Sequence, residues 1–180
     1  MPDRSSSVLE RLNIALVGAA GRGGAFAAAF AAHPRTRIHA VCDVRADLLA
    51  EAQAKTGAVE AYTDYAEMLA KSAIDAVVIA APMQFHAPYA IWALEQNIHV
   101  LSEVPAGVSV EECRALAVAA RRSRGVYMMA ENYTYMKSNV LVRELAQRGL
   151  FGELYYAEGE YIHELKALNE QTPWRRKWQT

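Results

Sequence analysis

The chain has 180 residues, 53% hydrophobic and 22% charged, the composition of a soluble globular protein long enough to bury a core and neither fibrous nor disordered. Its 19 Lys and Arg nearly balance 20 Asp and Glu for a formal net charge of −1, so no general pull toward nucleic acid or an anionic membrane is expected, and an acidic ligand has to be held locally. Cys42 and Cys113 stand far apart, with no Cys-x-x-Cys and no His at ligand spacing, which argues against a disulfide framework or a metal site and makes both read as small buried apolar residues.

The segment from Met1 to Arg11 is polar, with Ser5, Ser6 and Ser7, and lacks the apolar stretch of a secretory signal, so the expected location is cytoplasmic. His33, Asp43, Asp75 and His86 break the longest Ala-rich runs before they reach the length of about 18 apolar residues that a membrane span needs. From Leu12 onward, short apolar or β-branched runs alternate with Ala-rich stretches, which predicts a parallel sheet covered by helices on both faces, an α/β doubly wound fold of the Rossmann type. The pattern predicts strands near residues 12–18, 36–42, 58–62, 75–80, 97–102 and 126–130, and helices near 22–33, 46–56, 64–70, 86–96 and 109–123.

The last of these helices opens on a capping box, Ser109 with Glu112, ahead of the apolar set Cys113, Leu116, Ala117 and Ala120. It ends in Arg121, Arg122 and Arg124 before Gly125, so the basic residues complement the helix dipole rather than mark a nucleic-acid surface, and Gly125 suits a left-handed C′ position. Beyond residue 130 the pattern changes. A polar, aromatic segment leads into a helix through Val140, Leu141, Leu145 and Gln147, closed by Gly149, and alternation from about Leu154 to His163 predicts a long strand. Residues 1–130 therefore read as one doubly wound domain, and 131–180 as the start of an incomplete α+β second domain, whose uncovered sheet makes a homo-oligomer the expectation if the full second domain is present.

The first predicted strand, Asn13-Ile14-Ala15-Leu16-Val17, runs into Gly18-Ala19-Ala20-Gly21-Arg22-Gly23-Gly24 and then a helix. That context suits a phosphate-binding turn, in which small residues let the backbone approach a pyrophosphate and a glycine lets the helix pack on the strand. Gly18 and Gly23 match the Gly-x-Gly-x-x-Gly spacing, while Ala20 holds the middle place and Gly21 follows it. Asp43 falls 25 residues after Gly18, at the end of the second strand, where a carboxylate accepts hydrogen bonds from an adenosine ribose; this favours NAD, while Arg45 offers a partner for the 2′-phosphate of NADP. The candidate cofactor residues here are Gly18, Ala20, Gly21, Arg22, Gly23, Asp43 and Arg45; the competing reading is a helix-packing glycine cluster with a surface Asp.

With two further segments the chain resembles the N-terminal part of the glucose-fructose oxidoreductase and inositol dehydrogenase (Gfo/Idh/MocA) family. Ala80-Ala81-Pro82-Met83-Gln84-Phe85-His86 resembles the family's Thr-Pro-x-x-x-His turn, and His99-Val100-Leu101-Ser102-Glu103-Val104-Pro105 resembles the segment that ends in its Glu-Lys-Pro signature. The resemblance adds Ala81, Pro82, His86, Glu103 and Pro105 to the cofactor-lining candidates, with Glu103 and Pro105 reading equally as residues that orient the loop. The family's Lys, which lies beside nicotinamide and substrate, is Val104 here, and Val moves no proton. Asn132 matches the family's Asn-Arg pair lining the crevice, whereas Tyr133 does not.

His86 reads either as a group titrating near neutral pH or as part of the turn's architecture. Tyr133, Tyr161, His163, Trp174 and Arg175 supply the ring faces and polar rims that suit a carbohydrate, and equally the residue types of an oligomer interface. No catalytic residue is assigned, with His86, Tyr133 and His163 as candidates. The resemblance implies an NAD(P)-dependent oxidoreductase acting on a sugar, cyclitol or related polyol, with residues 1–130 as its dinucleotide-binding domain and 131–180 as the start of its substrate or oligomerisation domain. Val104 motivates an alternative, a redox-neutral NAD-dependent glycoside hydrolase, and the incomplete second domain a third, a non-catalytic nucleotide-binding fragment.

Overall fold

Short apolar runs can be buried on both faces only inside a shared sheet with helices above and below, and the computed structural model, which describes residues 11–173, shows that arrangement. The chain divides into two units, one ending at Ala130 and one beginning at Glu131.

In the first unit, β1 (Leu12–Val17) leads through a 3₁₀ turn (Arg22–Phe26) to α1 (Ala27–Ala32), followed by β2 (Thr36–Cys42), α2 (Ala46–Thr56), β3 (Glu60–Tyr62), α3 (Tyr65–Lys71) and β4 (Ala76–Ile79). A 3₁₀ turn (Met83–Phe85) then opens α4 (His86–Glu95), and β5 (His99–Ser102), α5 (Val110–Arg122) and β6 (Tyr127–Met129) complete the unit. The strands are parallel in the order β3-β2-β1-β4-β5-β6, so the chain reverses direction across the sheet at the β1/β4 pair, where open α/β sheets form a ligand crevice beyond the strand ends. The Rossmann-type fold expected from the alternating pattern is therefore present.

Period-two alternation sorts the core into two layers. On one face Ala15, Val17, Val77 and Ile79 pack with Met68 and Leu94 from α3 and α4; on the other, Ile14, Leu16, Val41 and Val78 pack with Leu49 and Ala52 from α2. Each fully buried Leu or Ile removes enough apolar surface to contribute about 1.5–3 kcal/mol. The capping box forms with a variation: Ser109 Oγ accepts from Glu112 N at 3.1 Å, but Glu112 Oε2 reaches back to the N–H of Val108 at 2.8 Å.

Several expectations need correction. Cys113 is exposed, because α5 buries only Leu116 against the core. Gly125 does not adopt a left-handed backbone; a Cβ there would fall 2.5 Å from the carbonyl oxygen of Ile98, so close approach is what excludes a side chain. The helix expected over residues 22–33 starts as a 3₁₀ turn, with Gly24 N donating to Gly21 O at 3.2 Å.

The second unit holds α6 (Lys137–Gln147), closed by Gly149 at φ +73°, and a short α7 (Lys166–Gln171) with no expected counterpart. The strand expected over 154–163 is absent, and its residues are exposed without regular structure. Alternation selects a face, but a strand exists only when a neighbour takes up its N–H and C=O groups, and among the described residues none pairs with this segment. The α+β character expected of residues 131–180 is thus not seen in the described part, whose regular elements are helices.

Candidate functional site

The end of β1 is a turn that only small residues can make. Gly18 has φ +73°, and a Cβ on it would lie 2.5 Å from the carbonyl oxygen of Ala80 at the end of β4. Gly23 allows the helical segment to sit on the strand, since a Cβ there would meet Val17 O at 2.5 Å. Gly18 N donates to Cys42 O at 2.9 Å, which pins the turn to the end of β2 and places it beside Asp43.

The Asp43 carboxylate is buried and fully engaged. Its Oδ2 accepts from Ala20 N at 2.9 Å and from Arg45 Nη2 at 3.1 Å, while Oδ1 accepts from Arg45 Nε at 3.0 Å and from Arg45 N at 3.1 Å. Burial alone would raise its pKa, but the hydrogen bonds from Arg45 and Ala20, together with the guanidinium charge, prevail and hold the carboxyl below its ordinary value. Asp43 thus ties the phosphate-type turn to the end of the second strand. The neighbouring Cys42 thiol is pushed up to about 12, chiefly by burial and then by the charges of Asp43 and Asp64, which makes it a core residue rather than a nucleophile.

Across the crevice, Arg22 Nε is paired with Glu103 Oε1, joining the glycine turn after β1 to the loop after β5 over the end of β4. The Glu103 side chain is nearly buried, and its Oε2 accepts from Val104 N at 3.2 Å. The Arg22 guanidinium lies 5.6 Å from the ring centre of Phe26. Val104 is half-buried and precedes Pro105 through a cis peptide bond.

His86 is 2% exposed, with Nδ1 2.8 Å from Pro105 O and Nε2 2.8 Å from Ala81 O, so one ring joins the loops after β4 and β5. Of its two readings from sequence, these partners favour the architectural one. Ala81 and Pro82 line the same edge half-buried.

The candidates in the second unit form a cluster of their own. The Tyr133 and Tyr161 rings meet edge to face with centres 5.5 Å apart, and Tyr161 and His163 lie 4.3 Å apart. Desolvation and then the neighbouring Tyr161 hydroxyl raise the Tyr133 phenol. Asn132 is exposed, and Trp174 and Arg175 lie outside the described residues.

Sequence reasoning selected Arg22 and Glu103 singly but not their pairing, since 81 positions separate them. Phe26 was missed, although its place four residues after Arg22 was a usable signal. The absence of side chains at Gly18 and Gly23, with a carboxylate fixed beside the turn, fits a dinucleotide: the turn offers backbone to a pyrophosphate, and the Asp43–Arg45 pair offers polar atoms to a ribose edge.

Comparison with known proteins agrees with this geometry. A glycosyl hydrolase family 109 protein from Shewanella woodyi is 34% identical over 97% of this chain, and an alpha-N-acetylgalactosaminidase from Shewanella oneidensis is 33% identical over 96%. The chain spans 40% of the length of either relative. Among solved structures, the WlbA dehydrogenase from Bordetella pertussis, in complex with NADH and UDP-GlcNAcA, superposes with a TM-score of 0.76 at 26% identity, covering 81% of this chain and 45% of that one. Among the described residues no helix is long and apolar enough to cross a membrane. The profile of the Gfo/Idh/MocA family, described as an oxidoreductase family with an NAD-binding Rossmann fold, matches residues 12–131, and the chain belongs to that family.

Proposed function

We propose that this chain is the NAD-holding part of an enzyme that cleaves a glycoside of an amino sugar or related carbohydrate by a redox-neutral route. The observation that carries this reading is Val104, which stands between Glu103 and Pro105 where the family resemblance expects the Lys beside nicotinamide and substrate. Hydride transfer from a sugar carbinol to NAD releases the hydroxyl proton whether the oxidation is net or transient, and Val104 cannot take it, so the base is another residue and Val104 counts as a departure from the family's dehydrogenase pattern. The names of the relatives at 33–34% identity support the same reading.

Bound NAD supplies a reversible hydride acceptor. The chain's own residues hold and orient it: the Gly18–Gly23 turn faces the pyrophosphate, Asp43 and Arg45 the adenosine ribose, and the Arg22–Glu103 pair with the His86-braced loops forms the nicotinamide end of the crevice. Val104, half-buried beside Glu103, gives that end an apolar side chain that moves no proton. Tyr133, Tyr161 and His163 of the second unit form a ring cluster of the residue types that stack on sugars, which makes them candidates for the carbohydrate.

A net NAD-dependent dehydrogenase of sugars or polyols is the second reading, supported by the likeness to a dehydrogenase solved with NADH and a nucleotide sugar. The two are separated by incubating the protein and NAD with nitrophenyl glycosides, including the N-acetylgalactosaminide, and with free sugars and inositols. Aglycone release without net NADH is expected. Accumulation of NADH with free sugar and no glycoside cleavage contradicts the proposal in favour of the dehydrogenase, and cofactor binding without either reaction leaves the nucleotide-binding fragment.

A further inference from the structure

We propose that the Arg22–Glu103 ion pair is a strap across the cofactor crevice, which opens to let a dinucleotide in or out and closes over it once it is bound. The inference rests on the assignment of the glycine turn as the nucleotide site and not on the fate of the hydride. The pair joins two loops that are not neighbours in the sheet: Arg22 follows the glycine turn after β1, Glu103 begins the loop after β5, and β4 lies between these strands. At about 4.8 Å per strand the span is about 10 Å, laid over the strand ends where the reversal at β1/β4 opens the crevice. A dinucleotide with its pyrophosphate on the Gly18–Gly23 turn and its nicotinamide at the loop after β4 crosses that line, so the closed pair stands in the path of entry. Both residues belong to the first unit.

The two ends of the strap are built differently. The Glu103 side chain is 9% exposed and is held from its other oxygen, Oε2 accepting from Val104 N at 3.2 Å, which makes it the anchored end. The Arg22 side chain is 58% exposed and opens the 3₁₀ turn directly after Gly21, with its guanidinium 5.6 Å from the centre of the Phe26 ring. A long side chain on the solvent side, with a ring face to rest on, can swing without unfolding an element. Opening is resisted because it leaves a nearly buried carboxylate with one N–H partner, and the exposure of the arginine keeps that resistance to about three- to tenfold in a rate. A barrier shared by entry and exit slows both and cancels from their ratio, so the strap acts on the exchange of cofactor rather than on its affinity.

The test is stopped-flow fluorescence of NADH binding to, and displacement from, the 180-residue chain in about 0.15 M salt, which screens long-range steering of the anionic nucleotide. It compares the parent with Arg22→Ala, Glu103→Gln and the double variant, with folding checked by circular dichroism. Each single variant is expected to raise the association and the dissociation rate about three- to tenfold and to leave Kd within about threefold of the parent's. The double variant should match the single ones within about twofold, because either substitution already opens the strap. The proposal is overturned if either rate constant of a folded single variant stays within about twofold of the parent's, or if the two effects multiply in the double variant, which marks two independent contacts to the cofactor. A folded parent that does not bind NADH overturns the nucleotide site itself and this inference with it, whereas a parent that binds, with unchanged rates in the variants, overturns the strap alone. If one single variant does not fold, the other decides, since each breaks the same pair.

Discussion

Replacing His86 with Leu probes the frame of the site without touching its glycines. The ring is 2% exposed and stands 2.8 Å from both Ala81 O and Pro105 O. Whichever nitrogen carries the proton, at least one of these contacts is a donated hydrogen bond, which is worth about 0.5–1.5 kcal/mol net, and a buried carbonyl left without its partner costs about 1–3 kcal/mol. Leu fills a similar volume and supplies no donor, so the expected loss of stability is about 1–3 kcal/mol, read from urea unfolding followed by far-UV circular dichroism. The loops after β4 and β5 lose their common brace, so NADH affinity should fall about tenfold under conditions where the variant is folded. His86→Gln, whose amide can donate to one of the carbonyls, should recover part of both losses. An unchanged urea midpoint together with an unchanged Kd for His86→Leu would refute the bracing role.

A methyl group at Gly23 would stand 2.5 Å from Val17 O and 2.9 Å from the Gly18 carbonyl, so Gly23→Ala should cost about 1–3 kcal/mol of stability and abolish cofactor binding; binding at parental affinity would contradict the turn assignment. The Asp43 pKa is lowered, so its contribution to stability is complete above the ordinary value of 3.8 and disappears as pH falls through the lower folded value; Asp43→Asn should flatten that acid limb of an unfolding profile and leave the slope above pH 5 unchanged. With Cys113 exposed, and Cys42 buried and raised to about 12, a thiol reagent at pH 8 should modify one cysteine in the native chain and two after unfolding; two in the native state would place Cys42 outside the core.

What could be read from the sequence was local. The bounds of β2 and α2 match expectation because each rests on periodicity within one short run, with β2 ending beside Asp43 and α2 at Gly57, whose φ is +70°. Asp43 and Arg45 are separated by one residue, and both were legible as ribose-side candidates because Asp43 falls 25 residues after Gly18 at the end of a predicted strand. The Arg22–Glu103 pair and the His86 brackets join loops that only the folded sheet brings together. The segment from 154 to 163 shows the opposite failure, since alternation there was clear but a strand also needs a partner. Similarly, α7 is six residues long and buries none of them, which leaves no periodic stripe to read.

The central claim is that the glycine turn and Asp43 hold NAD, and amide NMR of the labelled 180-residue chain titrated with NAD tests it most directly. The account predicts saturable shifts concentrated at Ala20, Gly21, Arg22 and Gly23, at Asp43 and Arg45, and at Glu103. A folded chain with no saturable shifts, or with shifts confined to residues away from the C-terminal edge of the sheet, would contradict it.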